Sequence, residues 1–313
     1  MEVIWPGYDD KYNDYGYVTI ENFDDIPEIP EQGYSSFKHH SAALVHLNYG
    51  KPYIISCGGG YFPPTNKCFG LNLRSGSWES LPPMNYPRKD FELLQMGEGL
   101  IAIGGAGPGN PLIEIFNKDF NMWTSMPQWN GPFNELSGHC AVIIGDTQIM
   151  IIGNDDWNSR NTSMILDIST GMWTKTAPIP NARKRGHACF HAKINLEMGV
   201  LVTGGTEGHI DPNDVYPATT TDFYHIETDT WISLANLSHP VEEHQMVMLD
   251  GPHGGPSIIG GQYELFLETG PEIHMRNEIQ TYLDLDDKWF CCVPQLYYKR
   301  SRFTAVNYPI IGN

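Results

Sequence analysis

The stretch Val-Leu-Val-Thr-Gly-Gly at residues 200–205 decides the fold, together with Phe-Tyr-His-Ile at 223–226 and Thr-Asp-Thr-Trp at 228–231. An apolar run ends in a glycine pair, and a second apolar run leads through a turn to a tryptophan. Apolar runs of this length predict strands that are packed on both faces. The glycines indicate places where the backbone turns tightly or approaches another strand closely. The unit therefore predicts short antiparallel strands joined by turns.

The same unit recurs along the chain. Its glycine pairs and following tryptophans are Gly58-Gly59 with Trp78, Gly104-Gly105 with Trp123, Gly153-Asn154 with Trp173, Gly204-Gly205 with Trp231, and Gly260-Gly261 with Trp289. Successive tryptophans lie roughly 50 residues apart, which is the period of a kelch-type repeat. A fixed period of this length indicates a propeller built from similar blades rather than a single irregular sheet.

The sequence resembles the kelch-repeat β-propeller superfamily over essentially its whole length. The resemblance implies an all-β, six-bladed propeller in a single domain covering residues 1–313. Each blade would have four antiparallel strands, called a to d from the axis outward. The tryptophans would be core wedges between blades. Function is predicted less sharply than fold, because kelch propellers carry unrelated activities.

Five blades are complete in the sequence, and a sixth is predicted to be shared by the two ends. The complete blades are predicted at about 36–84, 87–127, 137–180, 183–237 and 241–294. Residues 298–313 would supply strands a and b of the last blade, and residues 1–30 would supply strands c and d. Sharing a blade in this way would remove the open sheet edges of an unclosed ring.

Histidines mark the predicted starts of several innermost strands. They are His40, His139, His187 and His244. Imidazoles ligate transition metals, so a ring of metal ligands at the axis is one interpretation. The favoured interpretation is a hydrogen bond within or between blades, and no cofactor or metal is expected.

The charge and hydropathy restrict the partners of the chain. The formal net charge is −18, which argues against binding the phosphate backbone of nucleic acid or an anionic membrane surface. No apolar stretch approaches the roughly 20 residues that a membrane helix needs, so membrane insertion is not expected. A cationic partner is permitted, although acidity also serves solubility alone.

Two features of the sequence bear on the compartment. Cys57 and Cys68 bracket one loop between strands and could form a disulfide, or they could be buried thiols. Asn161 and Asn236 each begin a glycosylation sequon. Secreted and cytoplasmic origins are left as equal alternatives.

The candidate binding residues lie in the predicted b–c and d–a loops, which emerge on one face of a propeller. The longest insertions are at 206–220 and 262–277, while the c–d turns are too short to shape a pocket. Long loops on a rigid scaffold are where binding sites usually lie, and aromatic and arginine side chains dominate binding energies. The predicted residues are Tyr61, Trp129, Trp157, Arg160, Arg183, Arg185, His209, Tyr216, Tyr263, Arg276 and Arg300.

The leading hypothesis is a non-catalytic scaffold that binds a protein or peptide. A carbohydrate-binding propeller is the first alternative, and an enzyme of the kelch oxidase or epimerase type is the second. The sequence has no match to the copper-binding tyrosines and histidines of galactose-oxidase-like proteins, and it lacks the Glu-xxx-Asp-xxx-His spacing of nitrile-specifier-like proteins. No catalytic residue is therefore assigned.

Overall fold

The computed structural model describes residues 41–47, 51–60, 63–97, 99–109, 112–117, 121–126, 133, 135–155, 160–208, 215–249, 254–267 and 270–300. The chain divides into two compact units, one made of Met1–Ser137 with Thr304–Asn313 and the other of Gly138–Phe303. Both units are built from antiparallel sheets, as the sequence predicts. The described residues include no helix with the length and hydrophobicity needed to span a bilayer.

The first unit contains two four-stranded blades whose strands follow one another in sequence order. Blade one consists of β1 (Ser41–Leu47), β2 (Lys51–Cys57), β3 (Cys68–Asn72) and β4 (Ser77–Leu81). Blade two consists of β5 (Glu92–Met96), β6 (Gly99–Ile103), β7 (Ile113–Asn117) and β8 (Met122–Ser125). Strands a, b, c and d of the prediction are therefore the four strands of each sheet in order.

The second unit contains three blades and one smaller sheet. Blade three consists of β9 (Cys140–Ile143), β10 (Gln148–Ile152), β11 (Ser163–Asp167) and β12 (Met172–Lys175). The small sheet consists of β13 (Arg183–Arg185), β16 (Thr206–Gly208) and β17 (Val215–Pro217). Blade four consists of β14 (Ala188–Ile194), β15 (Glu197–Thr203), β18 (Thr221–His225) and β19 (Thr230–Leu234). Blade five consists of β20 (Gln245–Leu249), β21 (Gly255–Ile259), β22 (Gln262–Leu267), β23 (Gly270–Leu283) and β24 (Lys288–Arg300), with a short 3-10 helix at Asp284–Asp286 before its last strand.

The b strands form the most deeply buried layer of each blade. The side chains of Ile54, Ile103, Ile151 and Val202 have no solvent exposure. Both faces of these strands are covered, which is why their sequences are apolar throughout instead of alternating. The interpretation of the apolar runs as inner strands is thereby confirmed.

Tryptophans join blades two, four and five to the blade that precedes each of them. The indole nitrogen of Trp123 in blade two donates to the carbonyl of Pro82 at 3.0 Å. Trp231 in blade four donates to Ala177 at 2.9 Å, and Trp289 in blade five donates to Ala235 at 3.1 Å. The same indole position thus contacts the end of the preceding d strand in three blades.

The turn between strands c and d adds a second link of this kind. Asp287 accepts a hydrogen bond from the hydroxyl of Tyr282 in its own blade at 2.9 Å, and its carboxylate also accepts from the backbone N–H of Ala235 in blade four at 2.9 Å. Asp229 does the same for Tyr224 and for Ala177 of blade three. Blades four and five thus share the pattern Asp-x-Trp, in which both the aspartate and the tryptophan bind the preceding blade.

The glycine pairs are required by close packing. Gly205 has a φ of 84°, and a Cβ at this position would lie 2.6 Å from the backbone nitrogen of His187. Only a residue without a side chain takes this conformation and this approach at low cost. The start of strand a of blade four therefore lies directly against the turn that ends strand b of the same blade.

The described residues form five blades rather than the six that the sequence predicts. Residues 1–30, predicted as strands c and d of the sixth blade, lie outside the described part of the chain, as do residues 301–313. Residues 298–300 lie at the end of β24 in blade five, so the predicted boundary at 298 falls within a strand. Strand β24 continues past the predicted blade end because it still pairs with β23 there, with Arg276 opposite Arg300.

Candidate binding face

The d–a and b–c connections lie together in blades two, four and five. In blade four, β13 comes from the d–a connection and pairs with β16 from the b–c connection, so that Arg183 lies opposite Glu207. Single bridges join Lys89 to Ala106 and Glu242 to Gln262 at the corresponding places in blades two and five. The backbone of these connections is therefore fixed by hydrogen bonds and does not form a set of separate loops.

The two long insertions are hairpins rather than irregular loops. The insertion of blade four forms β16 and β17, and that of blade five forms β22 with the first half of β23, in which Tyr263 lies opposite His274. Strand β17 also contacts β22. We call the surface made by β13, β16, β17, β22, the first half of β23 and residues 237–244 the connection surface.

Tyr263 and Arg276, both predicted from the sequence, are neighbours on this surface. The Tyr263 ring stacks on His274 with centroids 4.9 Å apart, and the Arg276 guanidinium lies 4.4 Å from the centre of the tyrosine ring. Arg276 also donates to Glu278 at 2.8 Å. His239, from the d–a connection, places its Nδ1 3.6 Å from the same carboxylate. These contacts hold the aromatic and cationic groups in one arrangement.

A buried carboxylate connects blades four and five next to this cluster. Glu242 is only 5% exposed. It accepts a hydrogen bond from the Thr206 hydroxyl at 2.5 Å and another from the Gln262 amide at 3.3 Å. The insertion of blade four is therefore joined by side chains to that of blade five.

Arg183 was predicted as a surface binding residue, and the structure places it in the interior. Its side chain has no exposure and donates to Asp222 at 2.8 Å and to the carbonyl of Gly204 at 2.6 Å. Burial lowers the pKa of the guanidinium, while the charges of Asp222 and Glu207 oppose that shift. Arg88 of blade two repeats the arrangement with Glu114 and Gly104. This arginine is part of the blade structure because it holds the glycine turn.

The neighbouring predicted cations differ in exposure. Arg160 is only 7% exposed, and its backbone carbonyl accepts a hydrogen bond from the backbone N–H of Arg183 at 2.9 Å. Arg185 is exposed. The ammonium of Lys184 lies 3.7 Å from the carboxylate of Asp155. Of the three predicted arginines in this region, only Arg185 faces solvent.

The remaining predicted residues are described in part or not at all. Tyr216 lies in β17 opposite Glu207, and Arg300 lies in β24 opposite Arg276, with only their backbones described. Four others lie outside the described residues, and these are Tyr61, Trp129, Trp157 and His209.

The axial histidines that are described form hydrogen bonds between blades. The His187 Nε2 lies 2.9 Å from the carbonyl of Ile152, and the His244 Nε2 lies 2.8 Å from the hydroxyl of Thr203. Burial lowers the pKa of His187 to about 4 and that of His244 to about 3. The hydrogen-bond interpretation is confirmed for these two; His139 is buried, and His40 lies outside the described residues.

One group of side chains has the spacing of a metal site but not its chemistry. Cys291 Sγ lies 3.8 Å from His239 Nδ1, which itself lies 3.6 Å from Glu278. Cys291 is disulfide-bonded, so it offers no thiolate, and Arg276 already neutralises Glu278. Metal binding by cysteine requires the thiolate. We therefore assign no metal to this cluster.

The cysteines form more disulfides than the sequence indicates. Cys57 and Cys68 lie opposite each other in β2 and β3 and are bonded, as predicted. Cys140 and Cys189 also form a disulfide, which joins strand a of blade three to strand a of blade four. The second pair was missed, although both cysteines occupy the start of strand a in consecutive repeats and that equivalence is visible in the sequence.

A cavity of about 320 Å³ lies in blades four and five at the ends that carry the a–b and c–d turns, away from the b–c and d–a connections. The a–b turns and the c–d turn of blade five line it, through residues that include Lys193, Met248, Gly255, Tyr282 and Asp284. The sequence predicts only that the c–d turns are too short to shape a pocket, and the c–d turn of blade five supplies just part of this lining. The a–b turns, which that expectation left out, supply most of the walls.

Comparison with known proteins gives a consistent family. The chain is 23% identical to Kelch-like protein 36 of Rattus norvegicus over 227 residues, covering 68% of this chain and 34% of that protein. It is 22% identical to Kelch-like protein 26 of Danio rerio over 285 residues, covering 87% of this chain and 42% of that protein. Kelch-like protein terF of Aspergillus terreus is 22% identical over 225 residues, with 66% and 45% covered. The chain thus spans about a third to a half of the length of these relatives, and no family model matches it.

The solved structure of YjhT matches with a TM-score of 0.60 and 14% sequence identity, covering 81% of this chain and 83% of that one. The chain is a kelch-repeat β-propeller. In this kelch-repeat protein the tryptophans link blades two, four and five to the preceding blade, and the turn aspartates do so in blades four and five. The match to YjhT establishes the fold and carries no activity.

Proposed function

We propose that this kelch-repeat protein is a non-catalytic scaffold that recognises a protein or peptide through the connection surface. The observation that carries the proposal is the cluster of Tyr263, His274 and Arg276 on the hairpin of blade five, beside the hairpin of blade four. Aromatic and arginine side chains that are already ordered lose little entropy on binding. They are also the residues that most often dominate interface energies.

The chemistry of this surface favours a partner with a carboxylate. Arg185 is exposed, and the side chains of Lys184 and Arg276, which pair with Asp155 and Glu278, are 21% and 12% exposed. A guanidinium binds a carboxylate with two parallel hydrogen bonds. Tyr216 of β17 and Arg300 of β24 also belong to the proposal, as do Tyr61, Trp129, Trp157 and His209, which lie outside the described residues. Arg160 and Arg183 do not, because their side chains are buried.

The relatives support a protein partner in general terms, since several are kelch-like proteins. We further propose that residues 1–30 and 301–313 complete a sixth blade, which would close the ring. A carbohydrate ligand has less support. The Tyr263 ring is already in contact with His274 and Arg276, which reduces the ring surface left for a sugar.

The test is affinity purification followed by mass spectrometry, comparing the full chain with a Tyr263→Ala/Arg276→Ala variant. Each substitution should weaken binding of the partner by about 1–3 kcal/mol if both residues are hot spots. Leu285→Ala is the matched control, because Leu285 is 94% exposed on the c–d turn of the same blade. Equal recovery of the partner by the double variant, with loss in the control, would place the interface at the other end of the blades. A glycan array with the same proteins tests the carbohydrate alternative.

A further inference from the structure

The asparagines of the two sequons differ from the asparagines that stabilise the fold. Asn161 lies in the turn before β11 and Asn236 follows β19; both are exposed. No hydrogen bond to the described part of the chain holds either side-chain amide. By contrast, the amide nitrogens of Asn66, Asn85 and Asn181 donate to Met84, Trp123 and Asp222 respectively. The two sequon asparagines therefore have no structural role that would conflict with a covalent substituent.

The state of the cysteines gives an independent indication. Every cysteine whose side chain the structure describes is disulfide-bonded, namely Cys57, Cys68, Cys140, Cys189 and Cys291. Cys57 and Cys68 face each other across directly paired strands, and Cys140 and Cys189 join two blades that are already in contact. Such pairs persist in oxidising compartments and are rare in the cytosol. N-linked glycosylation takes place on chains that enter the same oxidising pathway.

We propose that Asn161 and Asn236 carry N-linked glycans and that the chain matures in an oxidising, secretory compartment. In this reaction the amide nitrogen of the asparagine loses a proton and forms a bond to the anomeric carbon of an activated sugar. The bond from that carbon to its pyrophosphate leaving group breaks, and no electron is transferred. The donor is a lipid-linked oligosaccharide pyrophosphate, and the host transferase supplies the catalysis.

The two sites differ in the time at which they can be modified. The hydroxyl of Ser163, the third residue of the first sequon, is fully buried and shares a hydrogen bond of 2.6 Å with Thr176. It also donates to the carbonyl of Ala177 at 2.8 Å. Asn161 must therefore be modified before β11 pairs with β12. Ser238, the third residue of the second sequon, stays exposed, so Asn236 is accessible before and after folding.

The first experiment is peptide mapping of the protein isolated from the organism that makes it. The unreduced sample is alkylated, and the glycans are then released with peptide N-glycosidase in heavy-oxygen water, which leaves a labelled aspartate at each modified position. We expect the label at residues 161 and 236 and no alkylation at the cysteines. Recovery of either asparagine unlabelled overturns the proposal for that site. If Cys57, Cys68, Cys140 and Cys189 are all alkylated in the unreduced sample, the proposal of an oxidising compartment is overturned.

A second experiment uses matched variants secreted by a eukaryotic host. Ser238→Ala destroys the sequon and keeps Asn236, whereas Ser238→Thr keeps the sequon at the same exposed position. We expect the first variant to lose one glycan in a gel-shift assay and the second to retain it, and Asn161→Gln to lose the other. A Ser238→Ala protein that migrates with the unchanged protein, before and after glycosidase, overturns the assignment of Asn236.

Discussion

The guanidinium of Arg183 and the carboxylate of Asp222 lie 2.8 Å apart, and neither side chain is exposed to solvent. Replacing Arg183 by methionine would leave Asp222 charged and unpaired in the interior. Removing one partner of a buried pair costs about 3–5 kcal/mol. We expect Arg183→Met to lower the free energy of unfolding by that amount in urea denaturation. Arg185→Met, two residues away and exposed, should change it by less than about 0.5 kcal/mol. A similar loss in both variants would contradict the structural role of Arg183.

The glycine pairs allow a second matched comparison. A Cβ on Gly205 would lie 2.6 Å from backbone and side-chain atoms of His187, whereas one on Gly76 would meet nothing within 4 Å. Both glycines have a positive φ, so the two substitutions share the backbone strain of about 1–2 kcal/mol. We expect Gly205→Ala to be destabilised by at least about 2 kcal/mol more than Gly76→Ala, or to be insoluble, because the backbone must also move. Thermal unfolding of the two proteins decides the matter, and equal melting temperatures would refute the close approach.

The disulfide between Cys140 and Cys189 closes a loop with a sequence separation of 49 residues. In the chain-entropy description it should stabilise the fold by about 4 kcal/mol, and the shorter Cys57–Cys68 loop by about 3 kcal/mol. We expect the Cys140→Ser/Cys189→Ser variant to unfold at lower denaturant than the oxidised parent protein. Adding a reductant to both should remove most of the difference. A difference that persists fully in reductant would mean that the serines disturb the packing instead.

The buried histidines predict how stability depends on pH. The pKa of His187 is about 4 in the folded protein and that of His244 about 3, mainly because of burial, and both lie below the unfolded value of about 6.5. Below pH 6.5 the unfolded chain therefore binds protons that the folded chain does not. The stability from these groups is complete above pH 6.5 and is lost as the pH falls through 4 towards 3.

The measurement is the free energy of unfolding between pH 7 and pH 4. The His187→Gln/His244→Gln variant should be less stable at pH 7 and show a shallower fall towards low pH. His239→Gln, at a side chain that is 45% exposed, should keep the slope of the parent protein. If the double variant has the same slope as the parent, the histidines are not the groups that titrate.

The sequence predicted the parts of the structure that the repeat itself determines. The apolar b strands and the tryptophan positions follow from a period that is read directly from the residues. Arg183 and Arg185 show where this reasoning fails. Both are cations in the same connection, yet one points to Asp222 across the blade and the other to solvent. That distinction depends on a strand register that composition and spacing do not contain.

The strand pairing within the two insertions and the second disulfide were missed for a related reason. Residues 262–267 alternate between polar and apolar character well enough to form a strand, but the prediction treated length variation as a loop. Cys140 and Cys189 are distant in sequence and close only because consecutive blades stand side by side. A contact between repeats can be predicted only when the arrangement of the repeats is known. The bond between Cys57 and Cys68 could be predicted from the pairing of adjacent strands alone.

Arg183 serves two blades at once, because its carbonyl accepts from Asn154 of blade three while its guanidinium donates to Gly204 of blade four. A change at such a position alters two turns together, so these connections can vary little during evolution without loss of folding. The hairpins β16–β17 and β22–β23 are anchored to that frame at their bases, where Thr206 and Gln262 both donate to Glu242. New partners would therefore be acquired by altering the sequence and length of the hairpins, while the residues at their base stay constant among descendants of this chain.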